Sequence, residues 1–147
     1  MIFIAGLFFI VILIFLNFLM GGKDGIKVLR KSRTLSAVEK KHITKRWYEI
    51  EELVNAQGAT ASNQAVIKAD KLLDSVLKQL ALPGDTMGDR LKSARDKFSS
   101  YEIYDTAWKA HKMRNAVVHE DNFDLHKRTA KSTLGQFRKV LKDLRAL

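Results

Sequence analysis

The feature that most constrains this chain is its first segment, Met1 to Met20, which contains no charged side chain. As an α-helix, this segment would span about 30 Å, which matches the hydrocarbon thickness of a bilayer. A cleaved signal peptide should have a basic start, a shorter apolar stretch and a small-x-small cleavage site. Here Gly21 and Gly22 are followed directly by Lys23. The pattern favours an uncleaved transmembrane anchor at residues 1–20 over a signal peptide.

Basic residues follow the apolar segment within eleven positions, opposed only by Asp24: Lys23, Lys27, Arg30, Lys31 and Arg33. The positive-inside rule then predicts a single-pass protein of the inner (cytoplasmic) membrane, with its N-terminus outside and its C-terminal domain in the cytoplasm. Glycines at 21, 22 and 25 make a continuous helix improbable, so residues 21–35 are predicted to form a basic juxtamembrane tether.

The remaining residues, 36–147, are predicted to form an all-α domain, a compact four- to five-helix antiparallel bundle. Ser36 and Glu39 fit a capping box at the start of the first helix. No segment alternates polar and apolar residues, so no sheet is expected. The predicted helices cover about 36–58, 62–82, 86–98, 101–120 and 124–147.

Composition excludes several classes of site. The chain has 147 residues and no cysteine, which rules out disulfides, thiolate catalysis and cysteine-ligated zinc. The phosphate-binding, dinucleotide-binding and serine-hydrolase motifs are also missing from the sequence, as is H-E-x-x-H, and the pair His111 and His119 lacks a carboxylate ligand at helical spacing. We therefore expect no cofactor and no metal.

The formal charge of +10 is concentrated at the two ends. Residues 23–46 have nine basic and two acidic side chains, a net +7, and residues 124–147 have seven and two, a net +5. An anionic inner leaflet explains the first group. The second forms a basic face on the last helix, which is either a solvated surface or a footprint for membrane or RNA. Its members are Lys127, Arg128, Lys131, Arg138, Lys139, Lys142 and Arg145.

The fourth predicted helix places a cation beside its apolar arc. On a helical wheel Arg114 lies about 20° from Ile103, next to the arc that should face the core, and a buried unpaired arginine is costly. The arc itself comprises Ala107, Val118, Tyr104 and Trp108. Arg114 therefore needs a partner.

Two kinds of partner for Arg114 are consistent with the sequence. Asp70 and Asp74, spaced i, i+4 on the second helix, could pair with Arg114 and hold two helices in register. Alternatively, the face opens on a cleft and the planar guanidinium binds a phosphate.

Arg114-Asn115-x-x-x-His119 resembles the R-polar-x-x-x-H signature of HEPN domains, in which the motif lies on a late helix of a compact bundle. The Trp108 to Asn115 segment, Trp-x-Ala-His-Lys-x-Arg-Asn, is also similar to that of uncharacterised single-span membrane proteins. Many HEPN proteins are metal-independent endoribonucleases in which two motifs meet in the cleft of a homodimer, and others lack catalysis.

The resemblance implies catalytic roles for three residues and RNA as the partner. His119 would act as general acid or base, Arg114 would stabilise charge on the phosphorane, and Asn115 would orient His119 or the phosphate. His111 would be a second proton carrier or a satisfied core histidine. The function expected is RNA binding or metal-independent cleavage by a homodimer. The alternative is a non-catalytic interaction module with a buried Arg/Asn/His network.

Overall fold

The structure, a computed structural model, describes residues 33–56, 58–120 and 123–147. The predicted transmembrane anchor, residues 1–20, and residues 21–32 of the predicted tether lie outside the described residues. Among the helices of the described ranges, none combines the length and the apolar character that crossing a bilayer requires.

Five α-helices and a short 3₁₀ turn, with no strand, make up the part of the chain that the structure describes. The prediction of an all-α helical bundle is thereby confirmed. The helices are α1 (Ala37–Asn55), α2 (Ala59–Gln79), α3 (Met87–Ser93), α4 (Tyr101–His119) and α5 (Lys127–Asp143), and the 3₁₀ turn is Arg95–Lys97.

Side chains at the helix starts explain where α1 and α3 begin. The Ser36 hydroxyl accepts from the Glu39 backbone N–H at 3.3 Å, and the Glu39 carboxylate accepts from the Ser36 backbone N–H at 2.8 Å. Thr86 and Asp89 make the same reciprocal pair at α3, at 3.1 and 3.3 Å. Each pair satisfies backbone donors that the first helical turn leaves free. The predicted capping box at Ser36 is present.

Helix α2 lies at the centre of the bundle and packs against α1, α4 and α5. Full burial of large aliphatic side chains contributes about 1.5–3 kcal/mol each, so this helix dominates the hydrophobic stabilisation. Phe137 of α5 is equally inaccessible to solvent. The apolar residues of α2 with no exposed surface are Ala65, Val66, Ala69, Leu72, Leu73, Val76 and Leu77.

Helices α2 and α5 end on a residue in the left-handed conformation. At α5, Arg145 has φ 55°, its N–H donates to the Lys142 carbonyl at 2.9 Å, and the Ala146 N–H donates to the Leu141 carbonyl at 2.9 Å. Ala81, with φ 59°, holds the same position after α2. Glycine is the usual residue in this Schellman motif, because a β-carbon there costs about 1 kcal/mol.

Candidate functional site

Helix α4 carries the Arg114 segment and buries a different face from the one predicted. Ile103, Ala107, Ala110 and Val117 face the core. The expected burial of Val118 is wrong, since this side chain is 47% exposed. The large rings of Tyr104 and Trp108 lie at the edge of the core, half-buried, so the centre of the buried face falls nearer Ile103.

Four side chains form a closed ring between α2 and α4. His111 Nδ1 is 2.8 Å from Asp70 Oδ1, and His111 Nε2 is 3.3 Å from Asn115 Nδ2. Asn115 Oδ1 accepts from Arg114 Nη1 at 3.0 Å. Arg114 Nε lies 3.4 Å from Asp70 Oδ2, which closes the ring through an ion pair. The ring therefore ties the centre of α2 to the second half of α4.

The hydrogen-bonding capacities of the four groups determine which group donates and which accepts at each hydrogen bond of the ring. A guanidinium only donates, so Asn115 must present its oxygen to Arg114 and its NH₂ group to His111. His111 Nε2 is then an acceptor, and the imidazole proton is on Nδ1, where it donates to the Asp70 carboxylate. The two hydrogen bonds of His111 therefore fit the Nδ1–H tautomer.

Arg114 is bound within this ring, but its side chain is still partly exposed to solvent. Its side chain is 26% exposed, whereas that of Asp70 is 3% exposed. The Nε–H of Arg114 is buried and makes no hydrogen bond among the described residues, because its contact with Asp70 is an ion pair without hydrogen-bond geometry. One strong donor of the guanidinium thus lacks an acceptor.

All four members of the ring, including Asp70, line a cleft of about 450 Å³. The start of α3 forms the opposite wall. The lining combines charges of both signs, so the cleft is polar without a single dominant charge. Its other residues are Lys71, Asp74, Asp85, Thr86, Met87, Gly88 and Arg90.

Asp74 has a different partner from the one predicted. Its carboxylate binds Arg90 Nε at 2.6 Å and Lys78 Nζ at 2.7 Å, whereas the ion pair of Arg114 is with Asp70. Arg90 also donates to the Gly84 carbonyl. Burial raises the pKa of Asp74, but the contacts with Arg90 and Lys78 outweigh it and hold that pKa below its ordinary value.

Sequence reasoning missed Arg90, a buried cation of the cleft. The sequence does contain a sign of its burial, because Arg90 lies on the apolar stripe of α3 with Met87, Leu91 and Ala94. Arg114 has a similar position beside the apolar residues of α4. A buried arginine needs a carboxylate partner, and Asp74 is that partner. The two predicted acids thus serve two different arginines.

Of the three residues predicted to act together in catalysis, two line the cleft and one does not. Arg114 and Asn115 are hydrogen-bonded to each other and line the cleft. His119 is exposed in the last turn of α4 and is not among the residues that line the cleft. Within one copy of the described chain, His119 therefore does not line the cleft that Arg114 and Asn115 line.

The basic face of α5 is exposed, and three of its side chains contact neighbouring helices. Lys127 donates to the Asn55 carbonyl at 2.6 Å, Arg138 pairs with Glu51 at 3.0 Å, and Lys139 pairs with Glu102 at 2.6 Å. These contacts reach α1 on one side and α4 on the other. Arg128, Lys131 and Lys142 are exposed as well, and Arg145 lies beyond the end of the helix.

No cluster of three or more histidine, aspartate or glutamate side chains suited to a metal ion occurs within the described ranges. Comparison with protein-family models, with curated proteins and with solved structures finds no match to this chain. The HEPN resemblance thus remains a prediction based on Arg114, Asn115 and His119.

Proposed function

We propose that the domain is a non-catalytic helical interaction module in which the ring of Asp70, His111, Asn115 and Arg114 fixes the bundle and presents Arg114 to a partner. The observation that carries the proposal is that Arg114 and Asn115 bind Asp70 and His111 in the ring, while His119, the predicted general acid or base, does not line their cleft. Both nitrogens of His111 are also engaged within the ring. To transfer a proton to or from a substrate, His111 would have to give up one of its two hydrogen bonds in the ring. The ring gives His111 a structural role and leaves Arg114 as the group available for binding.

The exposed part of the Arg114 guanidinium indicates the chemistry of the partner. A carboxylate or another strong acceptor in the cleft would bind this exposed part, whereas the buried Nε–H lies beside Asp70. Lys71 and Arg90 also line the cleft, and since Arg90 is paired with Asp74, Lys71 is the further cation that an acidic group could contact. A partner surface with an acidic side chain fits this arrangement.

The proposal includes attachment to a membrane. The support comes from the twenty uncharged residues at 1–20 and the five basic residues that follow them. The module would then lie on the cytoplasmic face of the inner membrane, with the N-terminus outside. We expect the full chain to stay with the membrane fraction after an alkaline carbonate wash. Release of the chain by that wash would contradict anchoring.

An RNA cleavage assay separates the module from an enzyme. The full chain, purified in a non-ionic detergent, is incubated with RNA in excess EDTA beside the His119→Ala variant. We expect no cleavage by the wild type above the level of the variant. His42→Ala, which removes an exposed histidine of α1, is the matched control. Cleavage that His119→Ala abolishes and His42→Ala retains would overturn the proposal.

A metal-independent endoribonuclease is the second candidate, and the partial exposure of Arg114 in an open cleft favours it. Since His119 lies outside that cleft, catalysis would need a homodimer that brings His119 of one copy to Arg114 of the other. Val118, an exposed apolar side chain beside His119, is a candidate contact for such a dimer. Sizing of the purified chain tests this, because a monomer excludes the shared site.

A further inference from the structure

A second cleft, of about 580 Å³, lies where the described chain begins, away from the Arg114 ring. Its walls come from the segment before α1, the first turn of α1, the end of α2, the segment after the 3₁₀ turn and the end of α5. Basic side chains predominate among its polar lining residues, which are Arg33, Lys40, Lys97, Arg145, Thr34, Ser99 and Asp143.

The charges of this basic cleft, as we call it, are unbalanced. Four cations face one carboxylate, and that carboxylate is already engaged, since Asp143 accepts from the Ser99 backbone N–H at 3.0 Å and from the Ser99 hydroxyl. Arg33 pairs with Glu39 at 2.6 Å. Within the described residues, the side chains of Lys40 and Arg145 make no hydrogen bond or ion pair. The basic cleft therefore has positive charge available for an anion.

Arg145 contributes its side chain to the basic cleft from the end of α5. Its backbone has the left-handed conformation that closes α5, and Ala81 has the same conformation after α2, so this conformation is a feature of the helix ends. The contribution of Arg145 to the basic cleft is therefore the positive charge of its side chain.

The remaining lining distinguishes between anionic ligands. Leu35, Leu80 and Leu144 supply an apolar part of the wall, which suits an amphiphile better than a free phosphate ion. Among the described residues, no aromatic side chain lines the basic cleft, so they offer a nucleobase no stacking partner. The combination of cations and leucines matches a phosphate group attached to a glycerol or acyl chain.

Chain length brings the basic cleft within reach of a bilayer. Arg33 follows Met20 by thirteen residues, a distance of at most about 45 Å for a fully extended chain. We propose that the basic cleft binds the headgroup phosphate of an anionic phospholipid in the membrane that anchors the chain. This inference rests on the proposed anchoring but not on the proposed role of Arg114.

The test measures binding of short-chain lipids to the full chain in a non-ionic detergent, with native mass spectrometry as the readout. Dihexanoyl phosphatidylglycerol is compared with dihexanoyl phosphatidylcholine. We expect phosphatidylglycerol to bind, and the double variant Lys40→Gln/Arg145→Gln to weaken that binding about thirtyfold, since each basic residue near an anionic lipid contributes about fivefold. The matched control Lys112→Gln/Arg128→Gln removes equal charge from exposed positions outside the basic cleft and should change binding less than twofold.

Three results would overturn the proposal. These are equal binding of the two lipids, equal weakening by the double variant and its control, and competition by inorganic phosphate at the concentration at which the lipid binds. Unchanged circular dichroism of the variants shows that they fold. Because the assay is performed in detergent, it is separate from the carbonate wash, so a failure of anchoring and a failure of headgroup binding give different results.

Discussion

Replacing Asp70 by Asn tests the ring most directly, because it removes the carboxylate and keeps the shape of the side chain. The lost carboxylate accepts the His111 Nδ1 hydrogen bond at 2.8 Å and lies 3.4 Å from Arg114 Nε. With only 3% of the Asp70 side chain exposed, water cannot readily replace these contacts. The substitution should therefore destabilise the fold.

The size of the effect follows from the two contacts. A hydrogen bond to a charged group contributes about 1.5–3 kcal/mol. The contact with Arg114 adds about 0.5–1 kcal/mol, because that side chain is 26% exposed and can be hydrated once Asp70 is neutral. Asp70→Asn should lower the free energy of unfolding by about 2–4 kcal/mol.

Urea unfolding followed by tryptophan fluorescence measures this difference. The chain has two tryptophans, and Trp108 packs edge-on against His111 with ring centroids 6.0 Å apart. Asp105→Asn is the matched control, since Asp105 pairs with Lys109 on the exposed side of α4 and its loss should lower the free energy of unfolding far less than the loss of Asp70. If Asp70→Asn loses no more stability than Asp105→Asn, the ring does not hold the two helices together.

Three further substitutions test other parts of the fold. The pKa of Asp74 is depressed, so the stabilisation from its pair with Arg90 is present above the ordinary carboxyl range and is lost as pH falls through the depressed value. Asp74→Asn should lower the urea midpoint at pH 7 and flatten its decline in acid, and an unchanged decline would contradict the assignment. Arg145→Gly should raise the free energy of unfolding by about 1 kcal/mol, as thermal or urea unfolding would show, whereas a decrease would mean that the arginine stabilises the helix end. Phe137→Ala should lower it by about 3–5 kcal/mol, and a loss under 1 kcal/mol would place Phe137 outside the core.

Local sequence patterns predicted the helices well because their ends are determined by short-range chemistry. Ser36 and Thr86 cap helices through hydrogen bonds three residues away, and such pairs are visible in the sequence. The start of α2 was predicted later than observed, near Ser62, because no side chain caps this helix at Gly58. Helix boundaries without a capping side chain are the ones that the sequence locates least well.

Tertiary packing determined what the sequence could not predict. The buried face of α4 depends on how that helix lies between α2 and α5, which places Val117 inside and Val118 outside. A wheel that assigns bulky aromatics to the core is misled by Tyr104 and Trp108, since large amphipathic rings can lie at the edge of a core.

The need of Arg114 for a partner was evident from its position, but the identity of that partner was not. Asp70 and Asp74 lie one turn apart on the same stripe, and either could have been chosen on spacing alone. The segment that brings α3 against α2 places Arg90 at Asp74 and leaves Asp70 for Arg114 and His111. Such pairings depend on contacts between residues distant in sequence, which periodicity does not encode.

The central claim is that the four side chains form a closed ring with the donors and acceptors assigned above. The tautomer of His111 tests this claim without any substitution. Nitrogen-15 and proton NMR of the imidazole at pH 7 distinguishes a protonated from an unprotonated ring nitrogen. The ring predicts a proton on Nδ1, donated to Asp70, and an unprotonated Nε2 that accepts from Asn115. An Nε2–H tautomer, or a doubly protonated ring at that pH, would contradict it.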